Sequence, residues 1–240
     1  MSKIYGRKSE YLITKEKKYT KRSYILGLCI FILMILNVIF LFNRKYLPCS
    51  LAITISVILL FLISIIGPRI KKEQNRSDNF YYGSKAESFI FYKLSQLSHE
   101  YLVFQDIKLP NEKRNIDFVV LGPTGIFTIE VKSHRGNINF DSKKLVRLKF
   151  PLYRDFLKQA LSEALSLHDY IKSMFGQDIF VQSVLVFSSQ YVKLNFNQEL
   201  INNVFVLTGN NIISFLIRGP RILSSEQVFQ LENILKGLVV

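Results

Sequence analysis

Cysteine is scarce in this chain, and its placement excludes two kinds of chemistry. The 240 residues contain only two cysteines, Cys29 and Cys49, and both lie in apolar stretches near the N-terminus. In an antiparallel pair of helices they would lie on the order of 15 Å apart in depth, too far for a disulfide. The rest of the chain therefore has no thiol for a zinc cluster or for nucleophilic catalysis.

Charge is missing from two runs of about twenty residues, 23–42 and 47–66. About twenty residues at a rise of ~1.5 Å cross the ~30 Å hydrocarbon core of a bilayer. We therefore predict a transmembrane helical hairpin. Buried core helices are the alternative, but such helices rarely lack a polar face over this length. A cleavable signal peptide is disfavoured, because the first run is too long and a second follows at once.

Basic residues lie mainly on one side of this hairpin. Eight occur in residues 1–22 and two in the connecting residues 43–46, and the second run is followed by Arg69, Lys71, Lys72 and Arg76. The excess of basic residues on cytoplasmic loops predicts that both termini are cytoplasmic. Contact with anionic lipid headgroups explains the charge near the hairpin. Residues 71–240 carry a net charge of +5, which permits a polyanionic ligand.

Composition and periodicity divide the chain into four segments. These are a basic cytoplasmic tail at 1–22, the transmembrane hairpin at 23–66, a linker at 67–82 and an α/β domain at 83–240. The linker is predicted because Gly67-Pro68 and a polar run after it are typical of a helix end.

Helical and strand periodicities alternate within 83–240, which predicts a mixed β-sheet flanked by helices. The expected helices are 83–99, 152–174 and 224–238; the expected strands are 101–104, 115–121, 126–132, 181–187 and 204–207, with short strands near 137–140 and 145–150. Ser224 and Gln227 are spaced as a capping box for the last helix.

The hairpin of strands 115–121 and 126–132 gathers the chemically active side chains. With a four-residue loop, Asp117 lies across from Glu130, with β-carbons about 5 Å apart on the face that Lys132 shares. The other face is apolar throughout, with Ile116, Phe118 and Val120 against Phe127, Ile129 and Val131. Two carboxylates at this spacing repel by roughly 3 kcal/mol at an effective dielectric of about 20, so a cation is expected between them. Hard oxygen ligands without cysteine suit Mg²⁺ or Mn²⁺.

An ordinary solvated hairpin face, with both acids in salt bridges to Lys132, is the alternative interpretation. Glu87 favours the metal site. Its helical spacing places it on the face of Ile90, Phe91 and Leu94. An ionised group that points toward a core needs a partner, and the metal site or Lys132 would supply one.

Three stretches resemble a known family. They are Gly83-Ser84-Lys85-Ala86-Glu87, Asn115-Ile116-Asp117-Phe118-Val119-Val120 and Ile129-Glu130-Val131-Lys132-Ser133-His134-Arg135-Gly136. Together they resemble a NERD (nuclease-related) domain of the PD-(D/E)xK nuclease-like superfamily, over roughly residues 80–190. The resemblance implies a restriction-endonuclease-like core and hydrolysis of phosphodiester bonds by a metal-activated water.

The family's motif positions imply a role for each acid and for the lysine. Asp117 and Glu130 would ligate Mg²⁺, with the Val131 carbonyl as a further ligand. Lys132 would orient or deprotonate the attacking water and stabilise charge developing on the phosphate. Glu87 would assist the metal site.

Gln159, within Leu157-Lys158-Gln159-Ala160, resembles the glutamine on a helix of that family, which implies contact with the substrate or with Lys132. The chain departs from the family pattern at Ala86, where a second glycine is frequent, and at Asp155-Phe156, where Asn-Pro is frequent. Neither departure removes a catalytic group.

The hairpin and the resemblance together predict a membrane-anchored, metal-dependent nuclease with DNA as the expected substrate. The alternative is a non-catalytic membrane-tethered scaffold with a nuclease-like fold that binds nucleic acid or protein. A third interpretation is a membrane protein whose soluble part only stabilises an assembly. The intact set of Asp117, Glu130 and Lys132 favours the enzyme, because a scaffold has no need of it.

Overall fold

The computed structural model describes residues 1–6, 10–42, 48–110, 112–141, 144–148, 150–152, 154–196 and 200–240. The chain forms two compact units. One unit is Glu10–Tyr82, and the other combines Met1–Ser9 with Gly83–Val240. The second unit thus contains both ends of the chain.

Two long helices dominate the first unit: α1 (Glu10–Phe42) and α2 (Cys49–Leu94), whose last turns enter the second unit. Both are long and apolar enough to cross a membrane, which by itself is a weak indication of a span. Their most apolar windows are only 0% and 6% buried. Within the described residues, no protein core covers these side chains. Cys29 is a free, exposed thiol.

The predicted boundaries of these helices are wrong at two places. α1 begins at Glu10, inside the segment expected to be a tail, and α2 continues through 67–82, the expected linker. Pro68 lies inside α2. A proline removes one helical hydrogen bond, but the helix continues here because good helix formers follow, among them Lys71, Lys72, Glu73 and Gln74.

Side chains beyond the apolar runs also join α1 to α2. The rings of Tyr19 and Phe80 stack with centroids 5.5 Å apart, and Thr20 Oγ1 lies 2.6 Å from Ser77 Oγ. These tertiary contacts hold 67–82 in a helix, and a local Gly-Pro signal does not reveal them.

The second unit is built on a seven-stranded mixed sheet. Its strands are β1 (Lys3–Tyr5), β2 (Leu102–Ile107), β3 (Ile116–Gly122), β4 (Gly125–Lys132), β8 (Val181–Phe187), β10 (Leu200–Ile201) and β11 (Val204–Thr208). Their order across the sheet is β1-β2-β3-β4-β8-β11-β10. Strands β2, β3 and β4 form an antiparallel meander, and β8 lies parallel to both β4 and β11. The expected mixed sheet is confirmed.

Helices cover both faces of this sheet. Helices α3 (Phe156–Phe175) and α5 (Ser225–Lys236) pack against one face. The end of α2 packs against the other face with α4 (Ile212–Ile217). Strands β3 and β4 are therefore buried on both sides, as central strands are. The capping box of α5 is present, with Gln227 N donating to Ser224 Oγ at 3.2 Å.

A second sheet of four short strands adjoins the first. It contains β5 (Gly136–Phe140), β6 (Leu145–Arg147), β7 (Phe150–Pro151) and β9 (Val192–Leu194), in the order β7-β6-β5-β9. The short strands expected near 137–140 and 145–150 correspond to β5, β6 and β7. Strands β9 and β10 and helix α4 were not predicted, because elements of two to six residues are too short to show a periodicity.

The N-terminus is part of the sheet domain rather than a free tail. Strand β1 pairs in parallel with β2 at the sheet edge. Tyr5 stacks on Phe104 with ring centroids 5.0 Å apart. Lys3 Nζ lies 3.0 Å from a carboxylate oxygen of Glu232 on α5, and Ser2 Oγ donates to a backbone carbonyl of α2 at 3.0 Å. The expected tail therefore divides into an edge strand and the start of α1.

Candidate active site

The β3–β4 hairpin has the predicted register. Phe118 pairs with Ile129 at one end of the ladder, and Gly122 pairs with Gly125 at the other. The connection is therefore two residues long, shorter than the predicted four-residue loop, but the same residues face each other. Asp117 and Glu130 follow directly beyond the pair at the open end.

Asp117 lies where β3 and β4 separate. Its Oδ2 accepts a hydrogen bond from the Val131 backbone N–H at 2.8 Å. On the neighbouring strand Asp106 has a φ of 55°, in the left-handed region. The alternation of side chains breaks there, and both Ile107 and its partner Ile116 pack in the core beneath α3 and α5. The prediction that Ile116 shares a face with the apolar residues opposite the acids is wrong.

Glu130 is the buried centre of a polar network. The residue is only 3% exposed. Its Oε1 accepts hydrogen bonds from the Lys132 ammonium and from Gln159 Nε2, the latter at 2.7 Å. The alternative of an ordinary solvated hairpin face is excluded, because α3 covers this side chain.

Glu163, which is not among the predicted site residues, belongs to the same network. Gln159 Nε2, which binds Glu130, also donates to Glu163 Oε1 at 2.9 Å. The two residues are one helical turn apart on α3, on the side that buries Ala160 and Ala164. A glutamate four residues after Gln159 on the apolar stripe of a helix was the available signal.

Phe156 forms an aromatic platform beside this network. Lys132 Nζ lies 4.7 Å from the centroid of the Phe156 ring, and the His134 ring packs edge-on against it at 5.0 Å. His134 Nδ1 is buried and has no hydrogen-bond partner among the described residues. Asp155 caps α3 through its side chain. Where the family frequently has Asn-Pro, this chain thus has a cap and an aromatic support for the lysine.

Glu87 approaches the same group of charges from α2, on the opposite face of the sheet. Burial, followed by repulsion from the negative charges of Asp106 and Glu130, raises the pKa of Glu87 to about 8. The Lys132 ammonium acts in the other direction. The upward shift of the pKa means that the Lys132 ammonium does not fully compensate the charge of an ionised Glu87.

Residues 82–188 match the family model described as a nuclease-related domain. The matched range contains the end of α2, the β3–β4 hairpin, α3 and β8. This chain carries a nuclease-related domain. The resemblance found in the three sequence stretches is thereby confirmed. No curated protein and no solved structure matches the chain in the corresponding comparisons.

Carboxyl groups outnumber cations around Lys132 in this nuclease-related domain. Burial, followed by repulsion from Glu130 and Glu87, raises the pKa of Asp117 well above its usual range. Burial and repulsion from Glu130 raise the pKa of Glu163 to about 8. Four carboxyl groups thus share the ammonium of Lys132, and without a further cation some of them hold a proton.

Two oxygen atoms of the nuclease-related domain fit a hard cation. Glu130 Oε2 and Glu163 Oε2 are buried and have no hydrogen-bond partner in the described part of the chain. No group of three or more His, Cys, Asp or Glu side chains that could hold a metal ion occurs among the described residues. Mg²⁺ needs no such group, because one or two carboxylates and several waters complete its shell. The donor set suits Mg²⁺ or Mn²⁺ better than a closed zinc site.

Proposed function

We propose that this protein is a membrane-anchored nuclease that hydrolyses phosphodiester bonds in DNA with the aid of Mg²⁺ or Mn²⁺. Glu130 carries the proposal. It is a buried carboxylate in a nuclease-related domain, bonded to Lys132 and Gln159, with one oxygen that has no partner among the described residues. Such a group is costly to bury unless a cation compensates it.

In this proposal Asp117 and Glu130 hold the metal ion, with the Val131 carbonyl as a further ligand. The bound ion would supply a water of lowered pKa and neutralise phosphate charge. Lys132 orients that water and then stabilises the charge that develops on the phosphate. The Phe156 ring at 4.7 Å restricts the positions open to the Lys132 ammonium.

Glu87 and Gln159 support these groups. The charge of Glu87 acts on Asp117 and raises its pKa, so an ionised Glu87 strengthens the demand for a cation. Gln159 holds one oxygen of Glu130 at 2.7 Å and leaves the other available. We assign Glu87 an assisting role at the metal site and Gln159 a role in orienting Glu130 or the substrate.

The edge strand β1 supports anchoring through a helical hairpin. β1 precedes α1, and its partner β2 follows α2, yet the two strands lie in one sheet. If α1 and α2 span a bilayer, their outer ends must therefore lie on the same side. The excess of basic residues before the first apolar run and after the second supports a cytoplasmic location for that side.

Single-cysteine labelling tests this topology. In a variant with Cys29→Ala and Cys49→Ala, we add either Gln190→Cys in the sheet domain or Asn43→Cys between the apolar runs. A membrane-impermeant maleimide should label only the Asn43→Cys protein in intact cells, and only the Gln190→Cys protein in everted vesicles. Labelling of Gln190→Cys in intact cells would overturn the cytoplasmic placement.

Cleavage by the full chain in detergent micelles tests the activity. The full chain is required, because β1 comes from the N-terminus. DNA and RNA are incubated with Mg²⁺, Mn²⁺ or a chelator. We expect metal-dependent cleavage of DNA that Asp117→Asn and Lys132→Met reduce by at least ~100-fold, about 3 kcal/mol of barrier. The exposed control Glu226→Gln should retain activity.

The alternative function is a membrane-tethered scaffold that binds nucleic acid or a protein without cleaving it. Four carboxyl groups around one lysine favour the enzyme, since a binding surface gains nothing from gathering them away from solvent. DNA binding without cleavage at any metal concentration would support the scaffold instead.

A further inference from the structure

The segment from Ser133 to Lys158, which ends in the first turn of α3, contains all the excess positive charge of residues 71–240. Residues 133–158 have seven basic and two acidic residues, a net charge of +5, and residues 71–240 as a whole also carry +5. The remainder of residues 71–240 is therefore neutral. Because the charge is concentrated in one segment, it is more than a general contribution to solubility.

This segment folds into β5, β6 and β7, and it exposes an aromatic ring beside a guanidinium. Arg147 on β6 is the cross-strand partner of Phe150 on β7. Cross-strand partners lie on the same face of a sheet. Phe150 is 74% exposed and Leu148, two residues before it, is 63% exposed, so the ring gains little by packing within the protein.

A second pair of this kind lies at the other edge of the four-stranded sheet. The Arg135 guanidinium lies 5.7 Å from the centroid of the Tyr191 ring, and Tyr191 is 63% exposed. Gly136 N donates to the Tyr191 carbonyl at 2.9 Å, which joins the two chain segments. Both pairs combine a planar ring open to solvent with a planar cation.

These pairs adjoin the candidate active site. Arg135 lies three residues beyond Lys132 in the chain. Arg147 is near enough to His134 to act on it: the pKa of His134 is lowered first by burial and then by the charges of Lys132 and Arg147. His134 itself packs on Phe156, the ring that also contacts Lys132.

We propose that Arg135, Arg147, Phe150 and Tyr191 form a strand-binding surface that leads unpaired nucleic acid to the candidate active site. The surface deepens the proposed function, on which its ligand class rests. Bases of a single strand stack on exposed aromatic rings, and arginine pairs with the phosphates between them. The faces of duplex bases are already stacked on neighbouring bases, so the exposed rings should bind a single strand more tightly than a duplex.

Binding of fluorescent oligonucleotides to the full chain in detergent, with a chelator present to prevent cleavage, tests the surface. We expect Phe150→Ser and Tyr191→Ser to weaken single-strand binding at least fivefold and to leave duplex binding unchanged. Arg147→Gln should weaken the binding of single strands and of duplexes alike. It should also reduce the salt dependence of the affinity by the equivalent of about one phosphate contact. Phe229→Ser, at an equally exposed ring on α5, and Arg218→Gln are the matched controls.

A tryptophan reporter distinguishes nucleic acid from anionic lipid as the ligand. The chain has no tryptophan, so Phe150→Trp introduces a single reporter, with Phe229→Trp as its control. In phosphatidylcholine–phosphatidylserine nanodiscs we expect a single-stranded oligonucleotide to quench the residue 150 reporter and brominated lipid to leave it unchanged. Quenching by brominated lipid but not by the oligonucleotide would overturn the proposed nucleic-acid surface. It would show that residue 150 contacts the membrane instead.

The outcomes separate this inference from the proposed function. Single-strand binding that both ring substitutions leave unchanged would overturn the surface, even if the wild-type chain cleaves DNA. Absence of both binding and cleavage in the wild-type chain would overturn the surface and the nuclease together. Single-strand binding that is lost with Phe150→Ser supports the surface, whether or not cleavage is detected.

Discussion

The Gln159 side-chain amide nitrogen lies 2.9 Å from Glu163 Oε1, one helical turn away on α3. The same nitrogen lies 2.7 Å from Glu130 Oε1. One amide thus bridges two buried carboxyl groups whose other oxygens have no partner in the described residues. The arrangement fixes the direction in which Glu130 presents its unbonded oxygen.

Glu163→Gln should make the metal-free protein more stable at alkaline pH. The pKa of Glu163 is raised to about 8 by burial and by Glu130. A raised pKa contributes stability that is complete below the unfolded value of about 4.5 and is lost as pH rises through about 8. The glutamine variant should show a shallower loss of melting temperature between these pH values. Circular dichroism in detergent measures it.

The control for this prediction is Glu226→Gln, at an exposed position in the first turn of α5. The melting temperature of this variant should depend on pH in the same way as that of the wild type. A Glu163→Gln protein that loses stability with pH as steeply as wild type would show that Glu163 is ionised at neutral pH.

Protons should compete with the metal ion for the carboxyl cluster. Glu87 and Glu163 both have a pKa of about 8, and the pKa of Asp117 is also raised. Ligands must lose their protons to bind a metal. The increase in melting temperature caused by Mn²⁺ should therefore grow from pH 6 to pH 8. An increase independent of pH would mean that the ion binds elsewhere.

Glu232→Gln should release the N-terminal strand β1. Burial of Glu232 raises its pKa, but hydrogen bonds from Tyr5, Lys3 and Lys236 outweigh burial and lower the pKa to about 2. A lowered pKa gives stability that is present above about 4.5 and is lost as pH falls toward 2. We expect a loss of roughly 1–2 kcal/mol at pH 7, because the glutamine removes the charge that Tyr5, Lys3 and Lys236 bind. Solvent screens the share that comes from the exposed Lys3.

Hydrogen exchange of β1 is the measurement for that variant. In Glu232→Gln the amides of Lys3–Tyr5 should exchange faster, while those of β4 should stay protected. Lys193→Met, a change of an exposed charge outside this cluster, is the control. Unchanged protection of β1 would show that pairing with β2 alone holds the strand.

Gly122→Ala should disrupt the turn that places the acids. A β-carbon at Gly122 would lie 2.3 Å from an atom of the Tyr101 ring. Such overpacking costs about 1–3 kcal/mol or shifts the strands. Gly237→Ala, whose β-carbon meets nothing closer than 3.7 Å, should leave the melting temperature unchanged. Equal melting temperatures of the two variants would contradict the close approach of Gly122 to the Tyr101 ring.

Much of the sheet domain could be predicted from local pattern. Strand β8 matches the apolar run 181–187, and the hairpin register follows from the paired glycines that flank its turn. These elements were predictable because periodicity, turn residues and final packing agree. The capping box of Ser224 and Gln227 is local in the same way.

The remainder depends on contacts distant in sequence. Nothing within Lys3–Tyr5 indicates a partner near residue 102, about a hundred residues away. Pro68 indicated a helix end, but Tyr19 and its contact with Phe80 support the continuous helix. Glu163 was missed because its importance comes from Glu130 on another element, which α3 reaches only in the fold.

Manganese binding to the full chain, measured by calorimetry in detergent at pH 8, shows whether Asp117 and Glu130 form a metal site. We expect saturable binding by the wild-type chain that Asp117→Asn and Glu130→Gln each weaken at least tenfold, with Glu226→Gln unchanged. Equal affinity in the wild-type chain and both variants would contradict a metal site at these acids.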